Sequence, residues 1–293
     1  LAEQLQGMGF YEIMNFSFVS PKDIEKLNLC RNDDRLKPLQ IRNPLGEDTS
    51  VMRSTLAPGM LKTLSLNMNR GNEKARLYEV AAVFDPLHPT AENLPTETQT
   101  LCLGMYGKDA DFYALRGAVE RLLNHRGVSF DIVPGGESYH HPGRCARLMH
   151  GDKVVCVLGE VHPAVRENFD MPARALIAEM NLATLAELSQ PMGAVKPMPR
   201  YPAVSRDISL VMPESTPVGP LMAAMAKAAG AILEDAKMFD VYRSPVLGKD
   251  MKSVAFSFIF RGADHTLTEQ EITAAMDKIQ KVAKEEYNAA IRG

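Results

Sequence analysis

The sequence lacks the features that mark membrane, secreted and metal-binding chains. No apolar run approaches the roughly 20 residues that a membrane-spanning helix needs. The start, LAEQLQGMGFYEIM, has neither the basic segment nor the long apolar stretch of a signal peptide. Only four cysteines occur in 293 residues, and no two of them form a CxxC pair. This spacing argues against a zinc site and favours reduced, apolar cysteines in a cytosolic protein.

A strong charge of either sign is also lacking. The net charge of -3 argues against a globally basic nucleic-acid coat, although it leaves room for a local patch. From residue 196 onward the chain has 13 basic and 12 acidic side chains, against 20 and 24 before it. The C-terminal part is therefore the less acidic one, which is weak support there for a polyanionic partner.

The length and the proline distribution predict two domains. An initiator methionine is missing, and we expect the chain to be a fragment of a longer polypeptide. Because proline restricts its own backbone and that of the preceding residue, a proline-rich stretch predicts a stiff, extended connector. The stretch 189–203 has this character, with Pro191, Pro197, Pro199 and Pro202. The predicted division is residues 1–190, a linker over 191–199, and residues 200–293.

The first domain has a mixed pattern of helices and strands. Apolar residues at helical spacing predict helices, and short runs rich in β-branched and aromatic residues predict strands. The helices are predicted over 56–69 and 114–125. The strands are predicted over 11–19, at the start of 39–50, over 76–84 and over 153–161.

The second domain follows a β-α-β-β-α-β order, the ferredoxin-like plan. The first helix has Thr216 as its cap and Pro217 in its first turn, and it stops at Gly230. The second begins with a Thr268–Glu271 capping box. The predicted strands cover 207–212, 236–243, 252–261 and 289–292.

One face of this sheet is predicted to be polar and uncovered. The two helices bury one face, and the ladder of Phe256, Phe258 and Phe260 predicts which one. The opposite face suits an unstacked RNA loop, but a solvated sheet face explains the pattern equally well. An RRM would present more aromatic rings, so base stacking of that kind is not expected. The predicted polar face consists of Asp207, Ser209, Asp240, Tyr242, Ser253, Ser257 and Arg261.

Several of these segments together resemble one known family. RYPAVSRDISLVM (200–212), MFDVYR (238–243), KSVAFSFIF (252–260) and TLTEQEI (266–272) resemble the ferredoxin-fold anticodon-binding domain that ends the β subunit of bacterial phenylalanyl-tRNA synthetase. Upstream, segments in the same order resemble the rest of that subunit: NPLGEDTSVMRSTLAPGML (43–61), NRGNEKARLYEVAAVF (69–84), DFYALRGAVERLL (111–123), HHPGRCARL (140–148) and LGEVHP (158–163).

The resemblance implies an α+β protein with two roles. Residues 1–190 would form a class II synthetase-like antiparallel sheet domain that is not catalytic and packs on the α subunit. Residues 200–293 would bind the anticodon of tRNA-Phe. The chain itself would bind no cofactor, whereas ATP and Mg would belong to the whole complex, an (αβ)₂ assembly. Editing would belong to domains before residue 1. We predict that tRNA contacts the polar face and its flanking arginines, at Arg206, Asp207, Ser209, Tyr242, Arg243, Ser253, Ser257 and Arg261.

Two motifs test whether the chain could itself be a synthetase. A class II site holds the ATP phosphates with arginines, because stabilising their charge is a large part of the catalysis. Arg76 and Glu79 have the spacing of one such motif, but Arg166 is the only candidate for the second, and Pro163 stands where glycine would be favoured. We therefore predict no catalytic residue, and we interpret Arg76 and Glu79 as a vestigial class II motif that forms a structural pair on a strand.

Two other functions remain open: a stand-alone class II-like ligase, and a structural or regulatory interaction module without an RNA role. Other residue clusters have simpler explanations. His140 and His141 are adjacent, so in a strand they would face opposite ways and would not share a metal. Lys278, Lys281 and Lys284 suit a solvated helix face that could approach phosphates.

Overall fold

Two separate sheets, each packed against helices, organise the chain. The computed structural model describes residues 1–90, 92, 94–190 and 198–291. Contacts divide the chain into two units, Leu1–Ala194 and Val195–Gly293. Most of the predicted linker, residues 191–197, lies outside the described residues. Both units combine helices and sheets, so the α+β class is confirmed.

The first unit is built on a seven-stranded sheet. Its strands and those of a small accessory sheet are β1 (Tyr11–Glu12), β2 (Phe18–Val19), β3 (Val51–Met52), β4 (Ala75–Asp85), β5 (Thr96–Tyr106), β6 (Asp131–Pro134), β7 (His140–His150), β8 (Lys153–Val161) and β9 (Leu176–Asn181). The large sheet has the order β1-β4-β5-β9-β8-β7-β6, and β2 pairs with β3. Only β1 is parallel to its neighbour in the large sheet, whereas the other five pairings are antiparallel.

Helices pack on both faces of this sheet. Among the described residues, the helices of this unit are α1 (Ala2–Gly7), α2 (Pro21–Glu25), α3 (Ala57–Asn69), α4 (Phe112–His125), α5 (Pro163–Asn168) and α6 (Leu182–Leu188). Strand β5 shows why two cores result, since its alternate side chains enter different clusters. Leu101 and Leu103 pack with residues of α1, α4 and α6, whereas Cys102 packs with residues of α3 and α5.

The strongest sequence patterns of this unit are confirmed. The helices predicted over 56–69 and 114–125 are α3 and α4, and the strands predicted over 76–84 and 153–161 are β4 and β8. The continuous strand predicted over 11–19 is wrong, because only its two ends are strands.

The second unit has the predicted ferredoxin-like order. Its elements are β10 (Val204–Pro213), α7 (Val218–Ala229), β11 (Leu233–Tyr242), β12 (Met251–Phe260), α8 (Glu269–Tyr287) and β13 (Ala290–Ile291). The sheet order is β11-β12-β10-β13, and the described ladder pairs are antiparallel. The phenylalanine ladder is buried between the sheet and the two helices, as the sequence predicts.

The starts of the two helices and the register of strand β11 differ in part from the sequence prediction. The Thr268–Glu271 capping box is present, with each residue bonded to the backbone of the other. The cap predicted at Thr216 is wrong: Pro217 occupies the N-cap, and no side chain caps α7. Strand β11 has a register shift between Met238 and Asp240. Across the described part of the chain, no helix combines the length and apolarity needed to cross a membrane.

Candidate functional site

The open face of the second unit's sheet brings together most of the predicted polar residues. In the strand register, Asp207 lies opposite Ser257 and Ser209 lies opposite Ala255. Tyr242 lies opposite Ser253 on the other side of β12. Since paired residues of neighbouring strands share a face, these side chains lie opposite the phenylalanine ladder.

Two details change the composition of this face. Ser253 is only 3% exposed, so it offers no surface to a ligand in this structure. Lys237 lies opposite Ser257 and therefore joins the face. Strict alternation from Asp240 and Tyr242 would place Lys237 on the helix side. The bulge at Phe239 adds one residue to β11 and shifts the alternation.

The three predicted arginines are held in ion pairs with glutamates. Two oxygens of Glu269 accept hydrogen bonds from Arg206 at 2.7 and 2.8 Å, and Glu214 bonds Arg243 in the same two-fold manner at 2.7 and 3.0 Å. Arg261 donates to Glu234 at 2.8 Å and to the carbonyl of Tyr201. In solution such exposed pairs contribute only about 0–1 kcal/mol each, so a phosphate can replace the carboxylate at little cost.

Arg206 lies on the other side of the sheet from the polar face. It has the same strand parity as the buried Ile208, and its partner Glu269 is the first residue of α8. The guanidinium thus joins strand β10 to the helix layer. This position separates it from Arg261, which has the same strand parity as Ser257 and with which the sequence grouped it.

In the first unit, the buried carboxylate of Glu79 organises a polar network. It accepts hydrogen bonds from the Arg53 guanidinium at 2.9 Å, from the Asn15 amide nitrogen at 3.0 Å and from the Asn15 side chain at 2.7 Å. Arg53 also donates to the carbonyls of Ala82 and Asn15. The backbone of Asn15 thus bonds a side chain instead of a neighbouring strand, which explains the break in the strand predicted over 11–19.

The predicted pair of Arg76 and Glu79 is wrong. The two residues are three apart in β4, and an odd spacing places side chains on opposite faces of a strand. Arg76 lies on the face of Tyr78 and donates to the carbonyl of Met8 at 3.1 Å, whereas Glu79 pairs with Arg53 on the other face. Arg166, the other candidate phosphate clamp, belongs to α5, which packs on the face opposite to Arg76. These two arginines cannot clamp one ligand.

A second carboxylate, on the same face of the sheet as Glu79, is also hydrogen-bonded within the protein. Glu179 accepts hydrogen bonds from the Thr55 hydroxyl at 2.8 Å, the Tyr139 hydroxyl at 2.6 Å and the Leu56 amide at 2.9 Å. It borders a cleft of about 330 Å³ that Arg35 also lines. Arg35 pairs with Asp33 and Glu137. The charged groups that border this cleft therefore have partners within the protein.

His140 is a structural residue rather than one of a pair of metal ligands. Its Nδ1 accepts a hydrogen bond from the Glu137 amide at 3.1 Å, so its Nε2 carries the proton and faces the carbonyl of Ile177 at 3.3 Å. Burial lowers the pKa of His140 to about 4, which keeps the ring neutral at physiological pH. His141, the next residue, is only half-buried, and its Nδ1 accepts a hydrogen bond from the Gly143 amide.

Comparison with known proteins agrees with this division into two parts. Residues 199–292 match the family described as the ferredoxin-fold anticodon binding domain, so the second unit belongs to a class of ferredoxin-fold domains. Residues 1–182 match the family described as the phenylalanyl tRNA synthetase beta chain CLM domain. The chain therefore belongs to the family of phenylalanyl-tRNA synthetase β chains.

Individual relatives give the same result over the whole chain. Phenylalanine--tRNA ligase beta subunits from Clostridium tetani and Clostridium acetobutylicum are 36% and 35% identical to it, over 100% and 97% of this chain. The beta subunit from Bacillus licheniformis is 30% identical over 99% of the chain. The matched part is 36–37% of the length of these three relatives, so the chain spans little more than a third of each.

The network around Glu79 predicts a large difference between two substitutions in β4. Glu79→Gln removes the charge that balances buried Arg53, and breaking such a pair costs about 3 kcal/mol or more. Arg76→Met removes one half-buried hydrogen bond to Met8, with a loss of about 1 kcal/mol. Urea denaturation of both variants measures the difference. Equal losses would mean that Glu79 is not the anchor described here.

Proposed function

We propose that this chain is a non-catalytic part of phenylalanine–tRNA ligase, which supports the α subunit and binds the anticodon region of tRNA-Phe during ATP-dependent aminoacylation. The observation that carries the proposal is the ferredoxin-fold sheet of the second unit. In the residues that the structure describes, both helices of this unit pack on the face opposite to the polar one, and the sequence of the unit matches an anticodon-binding family. In the same chain, the first unit matches the synthetase β chain.

The first unit is proposed to be class II synthetase-like in fold but without catalytic activity. Its largely antiparallel sheet supports the fold assignment. The absence of catalysis is supported by the positions of Arg76 and Arg166 on opposite faces, and by the internal partners of Glu79 and Glu179. A phosphate clamp needs converging cations, which this pair does not supply. We therefore assign ATP and Mg in the complex to the α subunit.

The proposed anticodon contact uses hydroxyls and two exchangeable ion pairs. Ser209 and Ser257 offer hydrogen bonds to base edges, and Tyr242 offers the aromatic ring at 43% exposure. Asp207 and Asp240 outnumber Lys237 and give the centre of the face a net negative charge, so we place the RNA phosphates at its ends. There, Arg243 and Arg261 can exchange a glutamate for a phosphate oxygen.

This arrangement predicts different effects for the three arginines. Arg243→Ala and Arg261→Ala should each weaken binding of a tRNA-Phe anticodon hairpin several-fold and reduce the salt dependence by the equivalent of about one phosphate contact. Arg206→Ala is the matched control, because its ion pair lies on the helix side of the sheet. Glu214→Gln should preserve or strengthen binding, since it frees Arg243. Fluorescence anisotropy at several salt concentrations provides the measurement.

Three outcomes count against an anticodon role. Equal affinity for an unrelated tRNA hairpin would exclude specific recognition. If neither Arg243→Ala nor Arg261→Ala weakens binding, the sheet-face contact is wrong. A chain that still binds the α subunit but no RNA would be a structural module.

The proposed α-subunit contact rests on exposed apolar residues held by the Glu79 network. Met14 and Phe16 are 94% and 87% exposed on either side of Asn15, whose side chain and amide nitrogen are bonded to Glu79. Large apolar side chains fixed in solvent are typical of protein interfaces. The anchored backbone would present them at little further entropic cost.

Replacing these two side chains should abolish α-subunit binding without unfolding the chain. We expect Met14→Ser with Phe16→Ser to reduce co-purification with the α subunit at least tenfold, while the thermal unfolding midpoint stays unchanged. Val246→Ser is the control, because Val246 is 93% exposed in the second unit. Co-purification of the double variant at wild-type yield would place the interface elsewhere.

A further inference from the structure

The loop between β5 and α4 in the first unit is bordered by three clefts that share their walls. Two of them, of about 660 Å³ each, share Tyr106, Gly107 and Ala110. The third, of about 690 Å³, shares Lys108 and Arg174 with one of these. The three clefts therefore adjoin one another around residues 107–110, and together we call them the loop groove.

Cations and exposed tyrosines line the loop groove from end to end. Tyr11, 74% exposed, borders one end, and Tyr113, 73% exposed, borders the other. The rings of Tyr113 and Phe112 meet in an edge-to-face arrangement, with 5.7 Å between ring centroids, so the contact restricts the orientation of the Tyr113 ring. The cations along the groove are Lys74, Arg76, Lys108, Arg144 and Arg174.

Four carboxylates also border the groove, and two of them have hydrogen-bond partners within the protein. Asp111 accepts the Ala114 amide at 2.7 Å as the cap of α4. Glu160 accepts two hydrogen bonds from Arg144, at 2.8 and 3.0 Å, and one of its oxygens lies 4.0 Å from the guanidinium of Arg174, so it pairs with two cations of the groove. Glu73 and Asp109 complete the set. Five cations and four carboxylates give the lining of the groove a formal net charge of +1. The rest of the chain before residue 196 is acidic, so the groove differs in sign from its surroundings in the sequence.

We propose that the loop groove binds a single-stranded segment of RNA. Lys108 and Arg174, at the shared middle of the groove, would contact phosphates, and bases would stack on Tyr113 and Tyr11. Cationic grooves with separated aromatic platforms bind single strands, because every base offers a π-face and the backbone follows the charge. This surface belongs to the first unit, so the proposal is independent of the anticodon role of the second.

The test uses the full chain and a fluorescent twelve-nucleotide oligouridylate. Lys108→Glu with Arg174→Glu should weaken binding at least tenfold and lower the salt slope by about 1.4, for two lost contacts to a single strand. Tyr113→Ala should weaken binding about tenfold, whereas Tyr113→Phe keeps the stacking face and should bind as the wild type does. Arg42→Glu with Arg121→Glu is the control, because it changes the net charge equally at exposed residues that do not line the groove.

Three results would overturn the proposal. An equal loss in the Arg42 and Arg121 control would show attraction to total charge rather than to the groove. Unchanged binding by Tyr113→Ala would show that no base stacks there, and unchanged binding by the Lys108 and Arg174 variant would exclude the groove altogether. Binding of the tRNA-Phe anticodon hairpin, measured on the same variants, should persist. If the Arg243→Ala or Arg261→Ala variant loses binding of the anticodon hairpin, that result concerns the anticodon site alone and leaves the groove proposal unchanged.

Discussion

The first unit depends on one buried carboxylate. Glu79 lies in the second strand of a sheet, where an unpaired charge would cost several kcal/mol, and it is balanced by Arg53. Its other hydrogen bonds hold Asn15, three residues beyond the end of the short edge strand. The segment around Asn15 therefore takes its shape from a side chain in the core. Met14 and Phe16 are presented to solvent as a consequence of that bond, not of strand pairing.

The pairing of charges also underlies our proposals that the first unit is not catalytic and that RNA contacts the surface of the chain. Charges at the sheet of the first unit have internal partners, as Glu179 does with Thr55 and Tyr139. Arginines of the second unit also have glutamate partners, but those pairs are exposed and weak. Buried pairs fix structure, whereas exposed pairs can be exchanged for a ligand's phosphate. This contrast is why we place chemistry in the partner subunit and RNA contacts on the surface of this chain.

Sequence patterns predicted elements where one strong periodicity decides the structure. The phenylalanine ladder of β12 and the Thr268–Glu271 capping box are examples, since each follows from local spacing. Side-chain anchors and bulges are not visible in such spacing. The partner of Glu79 is Arg53, 26 residues earlier in the chain, which no local pattern indicates. Lys237 was missed because the bulge at Phe239 reverses the alternation of its strand. The ferredoxin-like plan was thus predictable, but the composition of its polar face was not.

Amide hydrogen exchange at Asn15 tests the central interaction most directly. In the wild-type chain we expect this amide to exchange as slowly as those of β4, because its hydrogen bond to Glu79 opens only when the sheet does. In Glu79→Gln, protection should fall selectively in residues 13–17 while β4 and β5 stay protected. If the Asn15 amide of the wild type exchanges as fast as an exposed loop amide, the buried carboxylate does not anchor this segment, and the account of how Met14 and Phe16 are presented is wrong.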